Sequence, residues 1–300
     1  MKNVLFVGLG AIGTAIASQF SNAKYDFSVL CDAPRKIKYL QDGFIINDKR
    51  YDFHYVTNKE YKNIADLIII SVKYHHLKTV VKQLAGLVGT NTKIISLLNG
   101  IDSEDIIAKQ FGYKSVIHAF IYNIDATKIQ NVTTYSKKGI IVFGEKDGCI
   151  TCRINKLKGI LTEAGISHEI SDDIIRNMWW KYMANIGMNQ ATAILGASYR
   201  AFQKISYVQK IVKAAMREAI EIAKSLNINL SEEDIEKAFS MLMDFSPDGK
   251  TSMLQDVEAK RKTEVEMFSG KLCSLGEQLN ISTPVNHLFF NMIKSIEAMY

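Results

Sequence analysis

Residues 3–20 read NVLFVGLGAIGTAIASQF, and this stretch decides the fold of the N-terminal half. An apolar run predicts a β-strand, and the last seven residues have helical spacing. Between them lies G-x-G-x-x-G, in the strand-to-helix context that a phosphate-binding turn requires. Gly8 permits the tight turn, Gly10 lets the backbone approach a pyrophosphate, and Gly13 lets the helix lie close to the strand. The helix N-terminus would then bind the phosphates. We predict a dinucleotide site formed by Gly8, Leu9, Gly10, Ala11, Ile12 and Gly13; the alternative is a glycine-rich turn without a ligand.

A second strand is predicted at residues 27–31, and Asp32 follows it, 19 residues after Gly13. In dinucleotide-binding folds a carboxylate at this position accepts hydrogen bonds from the adenosine ribose. Such a carboxylate repels a 2′-phosphate, although the guanidinium of Arg35 could pair with one. We therefore predict an NAD(P)H cofactor, with Asp32 favouring NADH.

Two further apolar strands, at residues 67–72 and 93–98, end next to polar side chains. Lys73 follows the first strand and Asn99 follows the second. Open α/β sheets bind ligands at the carboxyl ends of their strands. Lys73 is therefore a candidate cofactor contact, and Asn99 is a candidate contact for nicotinamide or substrate. The alternative for Asn99-Gly100 is an ordinary turn.

The alternation of strands and helices stops near residue 170, and only helices are predicted beyond it. The predicted fold class is α/β, with a Rossmann-type dinucleotide-binding domain over residues 1–170 and an all-α domain over residues 171–300. The helices of the second domain are predicted around Lys181 and near residues 207–226, 231–243, 252–278 and 285–298.

A second informative stretch, WWKYMANIGMN at residues 179–189, predicts a helix that is apolar on almost every face. Lys181, Asn185 and Asn189 recur every fourth residue and form one polar stripe. Burying an ammonium or an amide without a partner costs several kcal/mol (~2–7). Two interpretations stay open: the stripe lines a wet cleft that receives a ligand, or the helix is a core helix with internally bonded polar groups.

Composition restricts the function further. The chain has 300 residues, a net charge of +6 and no basic tail, which argues against a nucleic-acid partner. Its four cysteines include one isolated C-x-x-C pair, Cys149 and Cys152, without the further ligands of a zinc site, so no metal is predicted. No disulfide framework, signal peptide or membrane-spanning run is evident, so we expect a cytoplasmic protein without a membrane partner.

Several motifs in the helical half, combined with Asn99-Gly100, resemble the ketopantoate reductase (2-dehydropantoate 2-reductase) family. They are SMLQDV at residues 252–257, RKTEVE at 261–266, Trp180-Lys181 with Asn185 and Asn189, and T-P-x-N at 283–286. The resemblance covers essentially the whole chain. It implies NAD(P)H-dependent reduction of a 2-keto acid to a D-2-hydroxy acid, with ketopantoate to pantoate as the family reaction in pantothenate and coenzyme A biosynthesis.

The resemblance also implies site residues, with the helical domain binding substrate and carrying out catalysis. Lys181 resembles the general acid that protonates the carbonyl oxygen, and Glu264 resembles the carboxylate that holds the substrate hydroxyl and the lysine. The groups that would position substrate or nicotinamide are Asn99, Asn185, Asn189 and Ser252. Structural alternatives are a snorkelling lysine for Lys181, an exposed carboxylate or an ion pair with Arg261 for Glu264, and a helix N-cap for Ser252.

The sequence departs from the family pattern at three positions. Asp32 stands where the family often has arginine, which again favours NADH. Tyr199 and Gly249 stand where some members have asparagine, so the pocket differs and the keto acid could carry a bulkier or more apolar tail. A D-2-hydroxyacid (D-mandelate-like) dehydrogenase is therefore the alternative enzyme. A non-enzymatic NAD(P)-binding sensor, which would not need Lys181 and Glu264, is the alternative of another class. A homodimer is compatible with the helical domain.

Overall fold

The computed structural model describes residues 3–21 and 23–300, which divide into two compact units, one ending at Ile174 and one spanning Ile175–Tyr300. Residues 1, 2 and 22, which the predicted first domain includes, lie outside the described residues. The strands are β1 Asn3–Val7, β2 Asp26–Leu30, β3 Phe44–Ile46, β4 Lys49–Tyr51, β5 Tyr55–Val56, β6 Ala65–Ile70, β7 Val88–Ser96, β8 Val116–Ile124, β9 Thr127–Ile129, β10 Val132–Thr134, β11 Lys138–Gly144 and β12 His168–Ile170. The helices of the first unit are α1 Ala11–Phe20, α2 Ala33–Asp42, α3 Tyr74–Gln83, α4 Ser103–Phe111 and α5 Cys152–Glu163.

The first unit is built on an eight-stranded sheet in the order β12-β11-β8-β7-β6-β1-β2-β5. Its strands are parallel except where β11 runs antiparallel to β8. Alternate residues of the central strands enter two separate cores, so that Phe6 packs on one face and Leu5 on the other. Both faces are covered, which explains why these strands are apolar runs without an alternation of polar residues.

The register of the central strands brings three chain segments to one edge of the sheet. Val7 pairs with Ile70, and Ile70 pairs with Ser96. The residues that follow these strands, at the glycine turn, at Lys73 and at Asn99, therefore leave the sheet at the same carboxyl edge. From β1 the chain first adds β2 on one side, and it later adds β6 on the other side. Ligands of open α/β sheets bind where the order of the strands reverses in this way.

A small second sheet, in the order β4-β3-β10-β9, packs against α1. Thr133 on β10 is fully buried, and its hydroxyl lies 2.8 Å from the hydroxyl of Thr14 on α1. The sequence indicates only the β10 segment, because its residues are of β-favouring types. All four strands of this sheet have three residues, too few to show a period. The parallel pairing of β10 with β3 joins segments more than 80 residues apart.

The second unit contains only helices among its described elements: the greater part of α6 Ile174–Leu195, then α7 Tyr199–Lys204, α8 Ser206–Ser225, α9 Glu232–Met243, α10 Ser252–Glu258, α11 Lys271–Leu279 and α12 Pro284–Ala298. A capping box starts α9, where the Ser231 side chain and Asp234 each satisfy the other's backbone N–H. Helix α7 was not predicted. No described helix has both the length and the apolar character needed to cross a bilayer.

The predicted single helix over residues 252–278 is wrong. Helix α10 ends at Glu258, Lys260 adopts a left-handed conformation with φ 50°, and a π-helical turn at Glu266–Gly270 precedes α11. The interruption is stabilised from a distance, because the backbone N–H and the hydroxyl of Thr263 both donate to the Glu297 carboxylate at 2.7 Å. A partner 34 residues away does not appear in local periodicity. Glu264 consequently lies in an irregular turn and not on a long helix.

Candidate active site

Two glycines of the turn are required by the packing of the first unit itself. Gly8 has φ +101°, and a Cβ there would lie 2.3 Å from the carbonyl oxygen of Ser71, which follows β6. A Cβ on Gly13 would lie 2.0 Å from the carbonyl oxygen of Gly8. Contacts under 3.0 Å with backbone leave no room to adjust. Gly8 therefore lets β1 turn beside β6, and Gly13 lets α1 approach the end of β1.

Gly10 differs from both, because no atom lies within 4 Å of the place where its Cβ would be. Its backbone is extended, with φ −73° and ψ −167°, which every residue type can adopt. It is the N-cap of α1, and no side chain caps that helix. The protein itself therefore has no need of a glycine here. Uncapped helix N–H groups next to open space fit a bound phosphate.

The other members of the turn are placed as follows. Leu9 is buried, with its side chain in one of the two cores of the sheet. Ala11 and Ile12 form the first turn of α1 and are partly buried. Their backbone N–H groups, and not their side chains, are the groups that a phosphate could use.

Asp32 caps the second helix of the unit. Its Oδ1 accepts a 2.8 Å hydrogen bond from the backbone N–H of Arg35, and its Oδ2 lies 3.5 Å from the Arg35 guanidinium. Both side chains are about half exposed. A cleft of about 250 Å³ opens beside them, lined by Leu30, Cys31, Asp32, Ala33, Thr57, Asn58, Lys59 and Gln83. Arg35 is thus held by the carboxylate that the sequence predicts at the ribose.

Lys73 and Asn99 follow adjacent strands at the same sheet edge as Gly8. Lys73 is the N-cap of α3 with an extended backbone. Asn99 is partly buried, and Gly100 beside it has φ +97°, a left-handed value that explains the glycine after this asparagine. Both side chains have interaction partners in the described chain.

In the helical unit, three of the predicted substrate residues form one hydrogen-bonded row. The Asn189 amide donates to Asn185 Oδ1 at 3.0 Å, and the Ser252 hydroxyl donates to Asn189 Oδ1 at 3.4 Å. Asn189 is buried, and Ser252 is exposed. Ser252 is the first residue of α10, whose N-cap is Thr251, so the N-cap alternative for Ser252 is wrong. The row is therefore buried at Asn189, in its middle, and reaches the surface of the helical unit at Ser252.

Lys181 lies one helical turn before Asn185, and its side chain is partly exposed. The neighbouring Tyr182 is buried, and its hydroxyl donates to the carbonyl oxygens of Met267 and Phe268 at 3.2 and 2.7 Å. The N–H groups of these two residues in turn donate to the carbonyl oxygen of Glu264. Tyr182 thereby fixes the turn that begins at Glu264 against the turn of α6 that carries Lys181. Glu264 is 7% exposed, so it is not the solvated carboxylate of the structural alternative.

The two departures from the family pattern in this unit contact each other. The N–H of Tyr199 donates to the carbonyl oxygen of Gly249 at 3.0 Å, and a Cβ on Gly249 would lie 2.9 Å from the Tyr199 ring. The ring also stacks on Phe245 at 5.1 Å, and burial raises the pKa of Tyr199. Gly249 leaves the space that the Tyr199 ring occupies. The two departures from the asparagines of some family members are therefore structurally linked.

Sequence reasoning missed a buried carboxyl group at the edge that carries Asn99. Glu104 is 2% exposed, Ser103 donates to its Oε2 at 2.9 Å, and its Oε1 has no hydrogen-bond partner among the described residues. Burial raises the pKa of Glu104 to about 7. The signal was obscured because acidic residues in a first helical turn, here Glu104 and Asp105, are typical of an exposed N-terminus.

Glu104→Gln should therefore remove the contribution of Glu104 to the pH dependence of the free energy of unfolding. Between pH 4.5 and 7 the unfolded chain loses this proton and the folded chain keeps it, so the Glu104 contribution to the free energy of unfolding falls as the pH rises. Relative to wild type, the unfolding free energy of Glu104→Gln should rise by about 2–3 kcal/mol from pH 4.5 to 8. Urea titrations across this range measure the difference.

The matched control is Asp105→Asn, on the next residue of the same helix, which is exposed. His118, whose pKa burial lowers to about 4, gives an opposite trend. Because Glu104 is not among the charges that act on His118, this trend cancels in the difference between Glu104→Gln and wild type. A pH-independent difference between Glu104→Gln and wild type would show that Glu104 is ionised throughout.

Residues 3–21 and 23–300 contain no group of three His, Cys, Asp or Glu side chains close enough to bind one metal ion. Cys149 and Cys152 are both exposed and free.

A doubly wound sheet with a glycine turn, followed by an all-helical unit with a lysine-asparagine row, defines a dinucleotide-binding protein of the two-domain dehydrogenase class. Comparison with known proteins agrees with this. Residues 4–148 match the family model described as ketopantoate reductase PanE/ApbA, and residues 173–297 match its C-terminal model. The chain belongs to the ketopantoate reductase family. The predicted family, the α/β fold and the class of NAD(P)H-dependent oxidoreductase are thereby confirmed.

Individual relatives are distant but match over their whole length. A 2-dehydropantoate 2-reductase of Archaeoglobus fulgidus is 24% identical over 298 residues, which are 99% of each chain. Two solved structures share the fold. A dimeric ketopantoate reductase from Staphylococcus aureus has a TM-score of 0.85 at 20% identity, covering 99% of both chains. A D-mandelate dehydrogenase with NADH and anilino(oxo)acetate has a TM-score of 0.91 at 22% identity, covering 100% of this chain and 99% of the other.

Proposed function

We propose that this protein uses NAD(P)H to reduce a 2-keto acid to a D-2-hydroxy acid, with 2-dehydropantoate to pantoate as the first candidate reaction. That reaction would contribute to pantothenate and coenzyme A biosynthesis. The observation that carries the proposal is the row of Asn185, Asn189 and Ser252, which begins one helical turn after Lys181 in a member of this family. Residues 1–170 would bind the nucleotide, and residues 171–300 would bind the substrate.

The residues at the glycine turn fit the cofactor. Gly10 leaves open space next to uncapped N–H groups, and Asp32 borders a cleft at the end of β2. When bound, the reduced nicotinamide supplies a hydride to the keto carbon. Backbone N–H groups of α1 would bind the pyrophosphate, Asp32 the ribose hydroxyls, and Lys73 and Asn99 the nicotinamide half.

Lys181 would donate a proton to the keto oxygen as negative charge develops there, and this both stabilises the alkoxide and completes the hydroxyl group. Glu264, almost fully buried, would keep the ammonium protonated and oriented and would accept a hydrogen bond from the product hydroxyl. The amide groups of Asn185 and Asn189 and the hydroxyl of Ser252 can donate to the substrate carboxylate without adding charge.

We propose NADH as the preferred cofactor, because Asp32 would repel a 2′-phosphate and its carboxylate already engages Arg35. An alternative substrate is an aryl or bulky 2-keto acid, as in a D-mandelate-like dehydrogenase. The packing of Tyr199 on Gly249 favours this alternative, because an aromatic ring and a glycine stand where some family members have two asparagine side chains.

Steady-state rates test these proposals together. Ketopantoate and phenylglyoxylate are each assayed with NADH and with NADPH, and the four kcat/KM values are compared. A ketopantoate reductase turns over the first acid faster, and a mandelate-like enzyme turns over the second faster. A non-enzymatic sensor binds nucleotide and reduces neither acid, and that result would exclude the reductase.

We also propose a homodimer formed through the helical unit. Tyr207 and Ile211 on α8, and Leu288 and Met292 on α12, are exposed apolar pairs at i, i+4 spacing, and these helices contact each other. The Staphylococcus aureus structure is described as dimeric. Sedimentation equilibrium should give twice the chain mass for wild type and a smaller mass for Tyr207→Lys. A monomeric wild type would contradict this.

A further inference from the structure

Lys128 is a lysine of the small sheet whose ammonium reaches the glycine turn. Its Nζ donates a 2.6 Å hydrogen bond to the carbonyl oxygen of Leu9, which lies between Gly8 and Gly10. The same Nζ lies 4.7 Å from the centroid of the Phe44 ring. Lysine and turn are 119 residues apart in sequence, so the contact depends on the folding of β9 against the start of α1.

The ammonium has no anionic partner within the described chain. The Leu9 carbonyl is its hydrogen-bond acceptor there, and no described carboxylate lies within ion-pair distance of it. Burial lowers the pKa of Lys128 to about 8, and the charge of Lys38 contributes in the same direction. A partly buried cation without a counter-ion is costly to the fold, and proteins rarely retain one without a use.

Anchoring of the turn does not require this charge. The hydroxyl of Thr133 lies 2.8 Å from that of Thr14, and Thr14 also donates to the carbonyl oxygens of Gly10 and Ala11. These neutral contacts already hold the small sheet on the first turn of α1. An ammonium has three N–H donors, and Leu9 accepts one of them. The remaining two are available to a ligand at the open space beside Gly10.

We propose that Lys128 is a phosphate-binding residue, which supplies the counter-charge for the pyrophosphate of the dinucleotide at the glycine turn. This inference rests on the nucleotide binding of the proposed function. The pyrophosphate is preferred over a 2′-phosphate as the partner, because Lys128 is bonded to the turn itself and Asp32 lies at the end of β2.

The test compares three substitutions by calorimetric titration with NADH and with ADP. Lys128→Met removes both the charge and the donor, and its apolar stem can still pack on Phe44. Lys128→Gln removes the charge and keeps an N–H that can donate to the Leu9 carbonyl. Both should weaken binding of NADH and of ADP by about 10- to 100-fold, because a charged hydrogen bond to phosphate is lost. Lys128→Arg keeps the charge and should restore most of the affinity.

Lys49→Met is the matched control, because it removes a lysine from the same small sheet that also lies over a ring, 5.2 Å from Tyr51. Its NADH affinity should equal that of wild type. Wild-type affinity in Lys128→Gln, combined with a loss in Lys128→Met, would reduce Lys128 to a neutral anchor and overturn the inference. Wild-type affinity in both has the same consequence. A wild-type protein that binds neither NADH, NADPH nor ADP would instead overturn nucleotide binding itself.

The pH dependence of ADP binding tests the same proposal on the wild-type protein, so its outcome does not depend on whether a variant folds. The affinity for ADP should fall by up to about tenfold from pH 7 to 9, as the free ammonium loses its proton. Neither α1, β3 nor β10 carries a titratable side chain, and the charge that acts on Lys128 is that of Lys38 on α2. A constant ADP affinity over this range would contradict the role of Lys128.

Discussion

Replacing Lys181 by alanine should lower kcat/KM for the keto acid by roughly 10²–10⁴, with the loss in kcat rather than in KM. The proton donor and the charge that stabilises the alkoxide disappear together, whereas the amide groups that would hold the substrate carboxylate remain. Binding of NADH should stay near that of wild type, because the glycine turn belongs to the other unit. Stopped-flow measurements of NADH oxidation separate the chemical step from binding and product release.

Two controls make the Lys181 result specific. Lys237→Ala removes an exposed lysine from α9 of the same unit and should leave kcat/KM unchanged. Thermal denaturation of Lys181→Ala should show a cooperative transition close to that of wild type, since the side chain is only partly buried. An unchanged rate in Lys181→Ala would remove this residue from the mechanism. A loss confined to KM would assign it to substrate binding alone.

The parts of the site that could be predicted are those encoded by local spacing. The glycine turn is contained in six consecutive residues between a strand and a helix, and the row of Lys181, Asn185 and Asn189 follows from one helical period. The structure adds that Asn185 and Asn189 are directly hydrogen-bonded and that Ser252 joins them. A helical period determines which side chains share a face, and it leaves their partners from other elements open.

What could not be predicted depends on partners distant in sequence. Lys128 appears as an ordinary strand lysine until β9 is placed beside Leu9. Glu104 resembles an exposed residue of a first helical turn until α4 packs against β8. The interruption near residue 260 depends on Glu297, and the contact between Tyr199 and Gly249 joins residues that α8 and α9 separate in sequence. Each case is a tertiary contact that overrides a local preference.

Alanine at Gly10 and alanine at Gly13 should have opposite consequences, although both glycines belong to one motif. Gly10→Ala should weaken NADH binding by about 10- to 100-fold, because its Cβ would occupy the space beside the uncapped N–H groups of α1. Its unfolding free energy should change by less than about 1 kcal/mol, since the Cβ meets no protein atom and the backbone is extended.

Gly13→Ala should instead destabilise the fold by about 3 kcal/mol or more, because its Cβ would lie 2.0 Å from the Gly8 carbonyl oxygen and α1 would have to move away from β1. Urea titrations give the two unfolding free energies, and calorimetric titration with NADH gives the affinities. Gly159→Ala on α5, where a Cβ also meets open space, is the matched control for Gly10→Ala and should leave NADH affinity unchanged. The opposite consequences follow because the protein occupies the space beside Gly13 and leaves the space beside Gly10 empty. Wild-type NADH affinity in Gly10→Ala would mean that the open space beside this residue is not where the pyrophosphate binds.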